Sequence, residues 1–346
     1  MRIKIMIAAL APFFAFSLVS SCVSFPGAPP ALVAPTIRNG VLIARDGAAL
    51  GLDRWRADAP TAVILAVHGM NDYAHHFEAL GEYLRRDGIS LYAYDQRGFG
   101  RSPEFGRWPG AETLTADLRA AIAATRAENP GLPLFVLGHS MGAAVVMAAA
   151  AEAPLDVDGA IFAAPGVWGG AQLPILYRVA LNVAANLAPG KTLTGRRASR
   201  QSTDNIAFLR EMFADPYVIK PTRLDAVLGV VRLMGEAYKV SDEIGGAALF
   251  LYGDKDEIIP VKAMRRTARR LCGDVEIHRY GEGWHLLFRD LAAKLVYRDV
   301  ADWVRRQSEK HTGPARGVGP AAFACPAATQ ENQTGASQHA AFGAAG

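Results

Sequence analysis

The segment Phe135–Ala150, "FVLGHSMGAAVVMAAA", constrains this 346-residue chain more than any other. A short apolar run reads as a buried strand. It passes into an alanine-rich helix with only Gly-His-Ser-Met-Gly between them. The chain must turn sharply at Ser140, and glycines at 138 and 142 remove side chains that would clash in such a turn. A strand feeding directly into a helix also fixes the layering, because the helix must pack back on the sheet its strand joins. Serine is in addition a favoured helix N-cap, so the residue alone does not separate a structural role from a chemical one.

The rest of the chain repeats the alternation. "TAVILAVHG", "ISLYAYD", "VDGAIFAAPG", "AALFLYGD" and "VEIHRY" read as strands, and "HFEALGEYLRRDG", "TLTADLRAAIAATRAENPG", "VKAMRRTARRL" and "LAAKLVYRDVADWVRRQ" as helices. Continuous apolar strands covered on both faces belong to parallel sheets. Asp46-Gly47, set between two apolar stretches, predicts a hairpin. The expectation is an α/β fold, a mostly parallel sheet flanked by helices with an antiparallel hairpin at its edge. Between Gly166 and Gly245 no clear strand is read. There "LPILYRVALNVAANLAP" is apolar over most of its helical circumference, with Arg178, Asn182 and Asn186 on a narrow stripe. A wide apolar face needs cover, so a helical cap at about 167–245, inserted between two strands, is expected.

Composition bounds the class. Half the residues (51%) are hydrophobic and the net charge is only +4, with arginines scattered along the chain. That lacks the gathered basic face of a nucleic-acid binder. Cys22, Cys272 and Cys325 have no metal-ligand spacing, and no metal or cofactor is expected. A Cys272–Cys325 bridge is compatible with an oxidising compartment. The first residues, "MRIKIMIAALAPFFAFSLVSSC", have the cationic, apolar and small-residue parts of a secretory signal, too short in its apolar part to span a membrane. "LVSSC" resembles a bacterial lipobox, which implies Cys22 as the lipid-attached first residue of a membrane lipoprotein in the bacterial cell envelope, on its periplasmic or surface side; an uncleaved membrane anchor and a plain signal peptide are the alternatives. The expected organisation is therefore a signal peptide (1–21), a Pro/Ala/Gly-rich tether (22–38), one catalytic domain (39–310) and a disordered tail (311–346). "KTLTGRRASR", with Lys191, Arg196, Arg197 and Arg200, reads as a solvated face.

Gly-x-Ser-x-Gly between strand and helix has a definite chemistry. The sharp turn lifts the serine hydroxyl clear of the sheet, and the helix that starts there directs its amide dipoles at an oxyanion. A serine needs a base, and the base needs a carboxylate to orient it. His278 lies inside a strand and reads as a sheet residue. His285, in "GEGWH" after that strand, lies where ligands gather in open α/β sheets. The Gly-x-x-Asp spacing from Gly253 singles out Asp256, with Asp254 as the fallback. His285 follows Asp256 by 29 residues, enough for a helix and a strand to return the chain to the same end of the sheet. The backbone N–H of Met141, and that of Met70 in "HGMND", are the candidate oxyanion donors. His68 reads as structural, and His139 is given no catalytic role.

These pieces, "HGMNDYAHHFEALGEYLRRDGISLYAYDQRGFGRS", "LPLFVLGHSMG", "FADPY", "GDKDEIIP" and "GWH", together resemble the α/β-hydrolases of the monoacylglycerol lipase and lysophospholipase type, the serine aminopeptidase S33-like group. The resemblance covers about residues 40–308. Ala143 departs from it, standing where a further glycine is usual. It implies an α/β-hydrolase fold and a serine hydrolase that cleaves lipid-like carboxylic esters, monoacylglycerol or lysophospholipid, through an acyl-enzyme. It also implies an acyl-binding pocket under the cap, for which Trp168, Leu173 and Leu176 are the candidates. Two other readings remain. An aminopeptidase would grip a free amine with cap carboxylates, for which Asp204, Glu211, Asp215, Asp225 and Glu236 are available. A retired hydrolase fold could serve as a membrane-tethered binding protein.

Overall fold

A computed structural model describes residues 23–194, 200–310 and 317–320. The expected hairpin is present: β1 (Thr36–Arg38), β2 (Val41–Ile43) and β3 (Ala49–Trp55) pair antiparallel, turning at Gly47 with φ +88°. β4 (Ala62–Val67), α1 (Glu78–Arg86), β5 (Ile89–Tyr94), α2 (Ala111–Glu128), β6 (Leu134–His139), α3 (Met141–Glu152) and β7 (Gly159–Ala163) follow. After the cap come β11 (Ala247–Gly253), α7 (Val261–Ala268), β12 (Asp274–Tyr280) and α8 (Ala293–Glu309). Nine strands form one sheet in the order β1-β2-β3-β5-β4-β6-β7-β11-β12. The pairs from β5 to β12 are parallel and β3 joins β5 antiparallel.

Both faces are covered, so β4, β5, β6 and β7 are buried along their whole length. One face packs α2, α3 and cap residues such as Leu233. The other packs Leu80 and Leu84 of α1 and Val296, Val300, Trp303 and Val304 of α8. The α3 helix is apolar all round because it lies between the sheet and other helices. Strand order reverses at β4, which lies between β5 and β6. Crevices at such switch points, outside the carboxyl ends of the strands, are where α/β sheets bind ligands.

The cap contains α4 (Ile175–Leu187), β8 (Thr192–Thr194), α5 (Ile206–Ala214), β9 (Pro221–Arg223), α6 (Leu224–Lys239) and β10 (Ile244–Gly245). The expectation of no strand there is corrected. β8 pairs antiparallel with β9, and three-residue strands are too short to carry a period-two signal. The tail is corrected too. Gly317–Pro320 returns to the core, β13 (Gly319–Pro320) pairs with β10, and Val318 is buried while its carbonyl accepts the Leu155 N–H at 2.8 Å. Low-complexity composition averages over a single apolar residue that finds a socket. The domain also begins earlier than expected, since β1 lies inside the segment read as tether. Cys272 is disulfide-bonded. Cys22, Cys325 and the signal segment lie outside the described residues. Among the described residues no helix is long and apolar enough to cross a membrane.

His278 sits on β12 with Nδ1 3.0 Å from Asp299 and Nε2 2.7 Å from Glu276. Burial alone would lower its pKa, but the two carboxylates raise it to about 9. The folded state therefore favours the imidazolium. That stabilisation is complete below the ordinary histidine range and is lost as pH rises from there through about 9. Urea unfolding at pH 6 and pH 9.5 should show this loss, and His278→Gln should flatten the slope while costing about 1–3 kcal/mol at pH 6.

Candidate active site

Ser140 occupies the turn between β6 and α3 with φ +52° and ψ −116°, a conformation that costs a non-glycine residue on the order of 1–3 kcal/mol. The surroundings hold it there. Its N–H donates to Ala163 at 3.0 Å, and its carbonyl accepts from Ala143, Ala144 and Gly166 at 3.1, 3.3 and 2.8 Å. A Cβ on Gly142 would lie 2.1 Å from the Val67 carbonyl oxygen, and one on Gly138 would lie 2.5 Å from the Ala143 Cα. Both positions need the bare backbone. Although Ser140 stands at the N-cap, its side chain makes no capping bond. Its Oγ lies 2.9 Å from His285 Nε2.

The other two candidates converge on it. His285 follows β12, is buried, and places Nδ1 2.8 Å from Asp256 Oδ2. The second Asp256 oxygen accepts the N–H groups of Ile258 and Ile259, each at 2.8 Å, so the loop after β11 curls around a carboxylate whose remaining free oxygen is aimed at the imidazole. With Nδ1–H donated to Asp256, Nε2 is left to accept the Ser140 proton. Asp254 points elsewhere, to Arg279 at 2.8 Å. Glu257 accepts the Gln201 N–H.

Other histidines support the arrangement. His139 precedes Ser140 on β6, so its side chain projects from the opposite face of the strand. It stacks on His76 at 4.6 Å, contacts the His285 ring at 5.2 Å, and donates from Nε2 to the His285 carbonyl at 3.0 Å. Burial pushes His139 well down and lowers His76, the latter against the opposing pull of the Asp72 carboxylate 2.9 Å from its Nδ1. His68 donates from Nδ1 to the Gly69 carbonyl and accepts the Gln96 N–H at Nε2, both at 2.8 Å. That pins the loop carrying Met70. The same loop abuts the turn, since a Cβ on Gly69 would lie 3.3 Å from Ser140 Cβ. Met141 opens α3 directly after Ser140.

Several supporting residues had no signal in the sequence. Asp290 is buried and accepts the Trp284 N–H at 2.8 Å; burial raises its carboxyl to about 6. The cap segment 202–205 grips the same loop. Leu286 N–H donates to the Ser202 carbonyl, Leu291 N–H to Asp204, and Asn205 Nδ2 to the Arg289 carbonyl. These are coil-to-coil contacts, which periodicity does not reveal.

Of the pocket candidates, Trp168 is half-buried against the core with the Arg200 guanidinium 5.8 Å from its ring centroid. Leu173 is half-buried. Leu176 corrects the expectation, because it is 79% exposed on the outside of α4. Helix α4 presents its polar stripe inward, a choice the apolar circumference left open. Arg196 and Arg197 lie outside the described residues. Among the described residues no cluster of three or more His, Cys, Asp or Glu could hold a metal ion.

The serine aminopeptidase S33 family model matches residues 58–292. A monoacylglycerol lipase of Mycolicibacterium smegmatis is 30% identical over 75% of this chain and 93% of its own length. The human monoglyceride lipase is 24% identical over 77% and 90%. Among solved structures, the monoacylglycerol lipase of Paleococcus ferrophilus superposes with a TM-score of 0.64 at 23% identity, covering 75% of this chain and 99% of that one. A soluble variant of the Saccharomyces cerevisiae monoglyceride lipase, bound to a substrate analogue, gives 0.66 at 18%, covering 82% and 99%.

The turn's dependence on bare backbone is testable. Gly142→Ala should destabilise the protein by about 1–3 kcal/mol or more in urea unfolding, and should slow labelling of Ser140 by a fluorophosphonate under conditions where the variant remains folded.

Proposed function

The chain belongs to the serine aminopeptidase S33 family and is an ester-hydrolysing α/β-hydrolase, and from that premise we propose that it cleaves monoacylglycerols or lysophospholipids through an acyl-enzyme on Ser140. The observation that carries this reading is the Ser140 Oγ, held 2.9 Å from an imidazole that is itself held 2.8 Å from a buried carboxylate. Ser140 Oγ attacks the ester carbonyl while its proton passes to His285 Nε2. Asp256 keeps Nδ1–H in place and stabilises the imidazolium. The oxyanion takes the N–H groups of Met70 and Met141. Collapse expels the alcohol, which receives the proton from His285, and leaves the acyl group on Ser140. Water, deprotonated by His285, then attacks the acyl-serine; the Oγ–acyl bond breaks, Ser140 Oγ takes the proton back from His285, and the fatty acid departs.

The fate of the cap carboxylates supports an ester over a peptide substrate. Asp204 accepts the Leu291 N–H, Asp215 accepts the Tyr73 hydroxyl at 2.6 Å, Asp225 pairs with Arg223, and Glu236 pairs with Lys239. These four have structural partners; the fifth, Glu211, is exposed on α5 and is the carboxylate that an aminopeptidase reading would have to use. The N-terminal sequence supports a secreted protein anchored through lipid on Cys22 in the bacterial cell envelope.

Ser140→Ala should lower kcat on monoolein about 10⁴-fold or more, and Asp256→Asn by on the order of 10³–10⁴, with little change in folding. Steady-state turnover of monoolein, a lysophospholipid and an aminoacyl amide checks both role and class. Faster turnover of the amide would favour the aminopeptidase reading. Absence of fluorophosphonate labelling at Ser140 would defeat the acyl-enzyme.

A further inference from the structure

The two oxyanion donors are held to unequal degrees. Met141 is the first residue of α3, so its N–H is fixed by a helix. Met70 stands in the coil after β4. The core side of that coil is held by His68 and by the close approach of α3, since a Cβ on Gly142 would lie 2.7 Å from the His68 carbonyl oxygen. An oxyanion hole works only when its donors already sit where the charge will develop. The far side of Met70 must therefore be held as well.

Asn71 lies on that side. The Asp72 N–H donates to the Gly69 carbonyl at 3.4 Å, which closes a turn with Met70 and Asn71 at its centre. In a four-residue turn the N–H of the first central residue takes no part in the closing bond, so the Met70 N–H is left for another acceptor. Asn71 has φ +67°, and glycine and asparagine are the residues that take such a turn position at least cost. Glycine would serve the turn as well. What asparagine adds is a side chain. Its Nδ2 donates to Thr222 Oγ1 at 2.7 Å, 151 residues further along the chain, while the Asn71 carbonyl accepts the Ile219 N–H at 2.9 Å. Both partners belong to the cap. Thr222 is on β9, paired with Leu193 of β8, and Ile219 is buried in the main core. Asn71 Oδ1 is buried and finds no hydrogen-bond partner among the described residues. A buried acceptor without a donor offsets much of what the Nδ2 bond contributes to stability. The side chain is better explained by the geometry it fixes.

We propose that Asn71 is a positioning residue, which latches the turn carrying Met70 to the cap strand β9 and so keeps the Met70 N–H aimed at the developing oxyanion. The proposal rests on the acyl-enzyme reading above. Asn71 acts through the adjoining peptide and does not itself touch the reacting atoms. Its backbone carbonyl bond to Ile219 would survive loss of the side chain, so the latch would loosen rather than open. A loosened donor costs most where the carbonyl oxygen carries full charge, in the tetrahedral intermediate, and little in the bound ester. The effect therefore belongs in kcat and not in KM. Together with the bonds from 202–205 to the His285 loop, the latch makes the cap a support for the oxyanion hole as well as for the general base.

The test separates the turn from the latch. Asn71→Gly keeps a residue that tolerates the positive φ and removes the side chain. On p-nitrophenyl butyrate it should lower kcat about tenfold or more and leave KM within about threefold. A long-chain alkyl trifluoromethyl ketone accepts Ser140 Oγ at its carbonyl carbon and becomes a hemiketal oxyanion. Its affinity should fall by about the same factor as kcat, because it needs the same donors. Thr222→Val removes the acceptor from the cap side and should match Asn71→Gly. Thr222→Ser keeps the hydroxyl and should stay within about twofold of the unaltered chain. The double variant, Asn71→Gly with Thr222→Val, should be slower than Asn71→Gly alone by no more than about twofold. Rates are read where tryptophan fluorescence shows each variant folded, and the two Thr222 variants decide the matter if Asn71→Gly does not fold. The role is overturned if Asn71→Gly or Thr222→Val changes KM alone, if either leaves kcat and inhibitor affinity within about twofold, or if the two losses multiply in full. Absence of fluorophosphonate labelling at Ser140 in the unaltered chain would overturn the acyl-enzyme and this role with it. Labelling in the unaltered chain with unaffected variants would overturn this role alone.

Discussion

The contact of Gly142 with the end of β4 is the constraint on which the rest of the site depends. With a Cβ excluded by the Val67 carbonyl, α3 can start directly from β6 and lie close beside the neighbouring strand. That closeness puts Ser140 at the strand switch point and brings the loop after β4, with Gly69 and Met70, against the turn. It also forces Ser140 into a left-handed conformation, so the hydroxyl cannot reach back to cap its own helix. The same strain that removes the N-cap role presents Oγ to His285. Folding energy holds the strain, through four backbone hydrogen bonds at one residue.

His285 has the opposite problem. It sits on a loop rather than at the end of a regular element, and a loose loop would not keep a 2.9 Å contact. Its fixation is distributed. His139 holds its carbonyl from behind, Asp290 holds the preceding N–H, and cap residues 202–205 hold the following ones. His76, stacked on His139, is itself held by the Asp72 carboxylate 2.9 Å from its Nδ1, so the wall behind the His285 loop is fixed by a side chain from the loop after β4.

What was legible in the sequence was local or topological. The elbow is five consecutive residues, and the parallel strands are unbroken apolar runs. The order Ser140, Asp256, His285 follows from loops at one end of one sheet, and the distances place all three together. What was not legible depends on which partner a face meets. The apolar circumference of α4 announced that cover was needed but not on which side, and Leu176 was accordingly put on the wrong one. Val23–Gly27 is coil with prolines and small residues, indistinguishable in composition from a free tether. Its docking, with Phe25 against the Trp108 ring and the Val23 carbonyl on Arg232, depends on residues far away in sequence. Gly317–Pro320 is the same case at the other end of the chain.

The cap is thus joined to the core in two mechanically different ways. Near its middle, residues 202–205 are bonded to the loop of His285, and Gln201 to the acidic loop of Asp256. Displacement of that stretch would disturb the triad itself. Farther out, α6 packs Ala226, Val230, Leu233 and Ala237 into the core, and α4 rests on α6 through Ala185, Leu224 and Leu228. The outer cap is thus fixed by apolar packing, where the inner stretch is fixed by hydrogen bonds to the loops of the site.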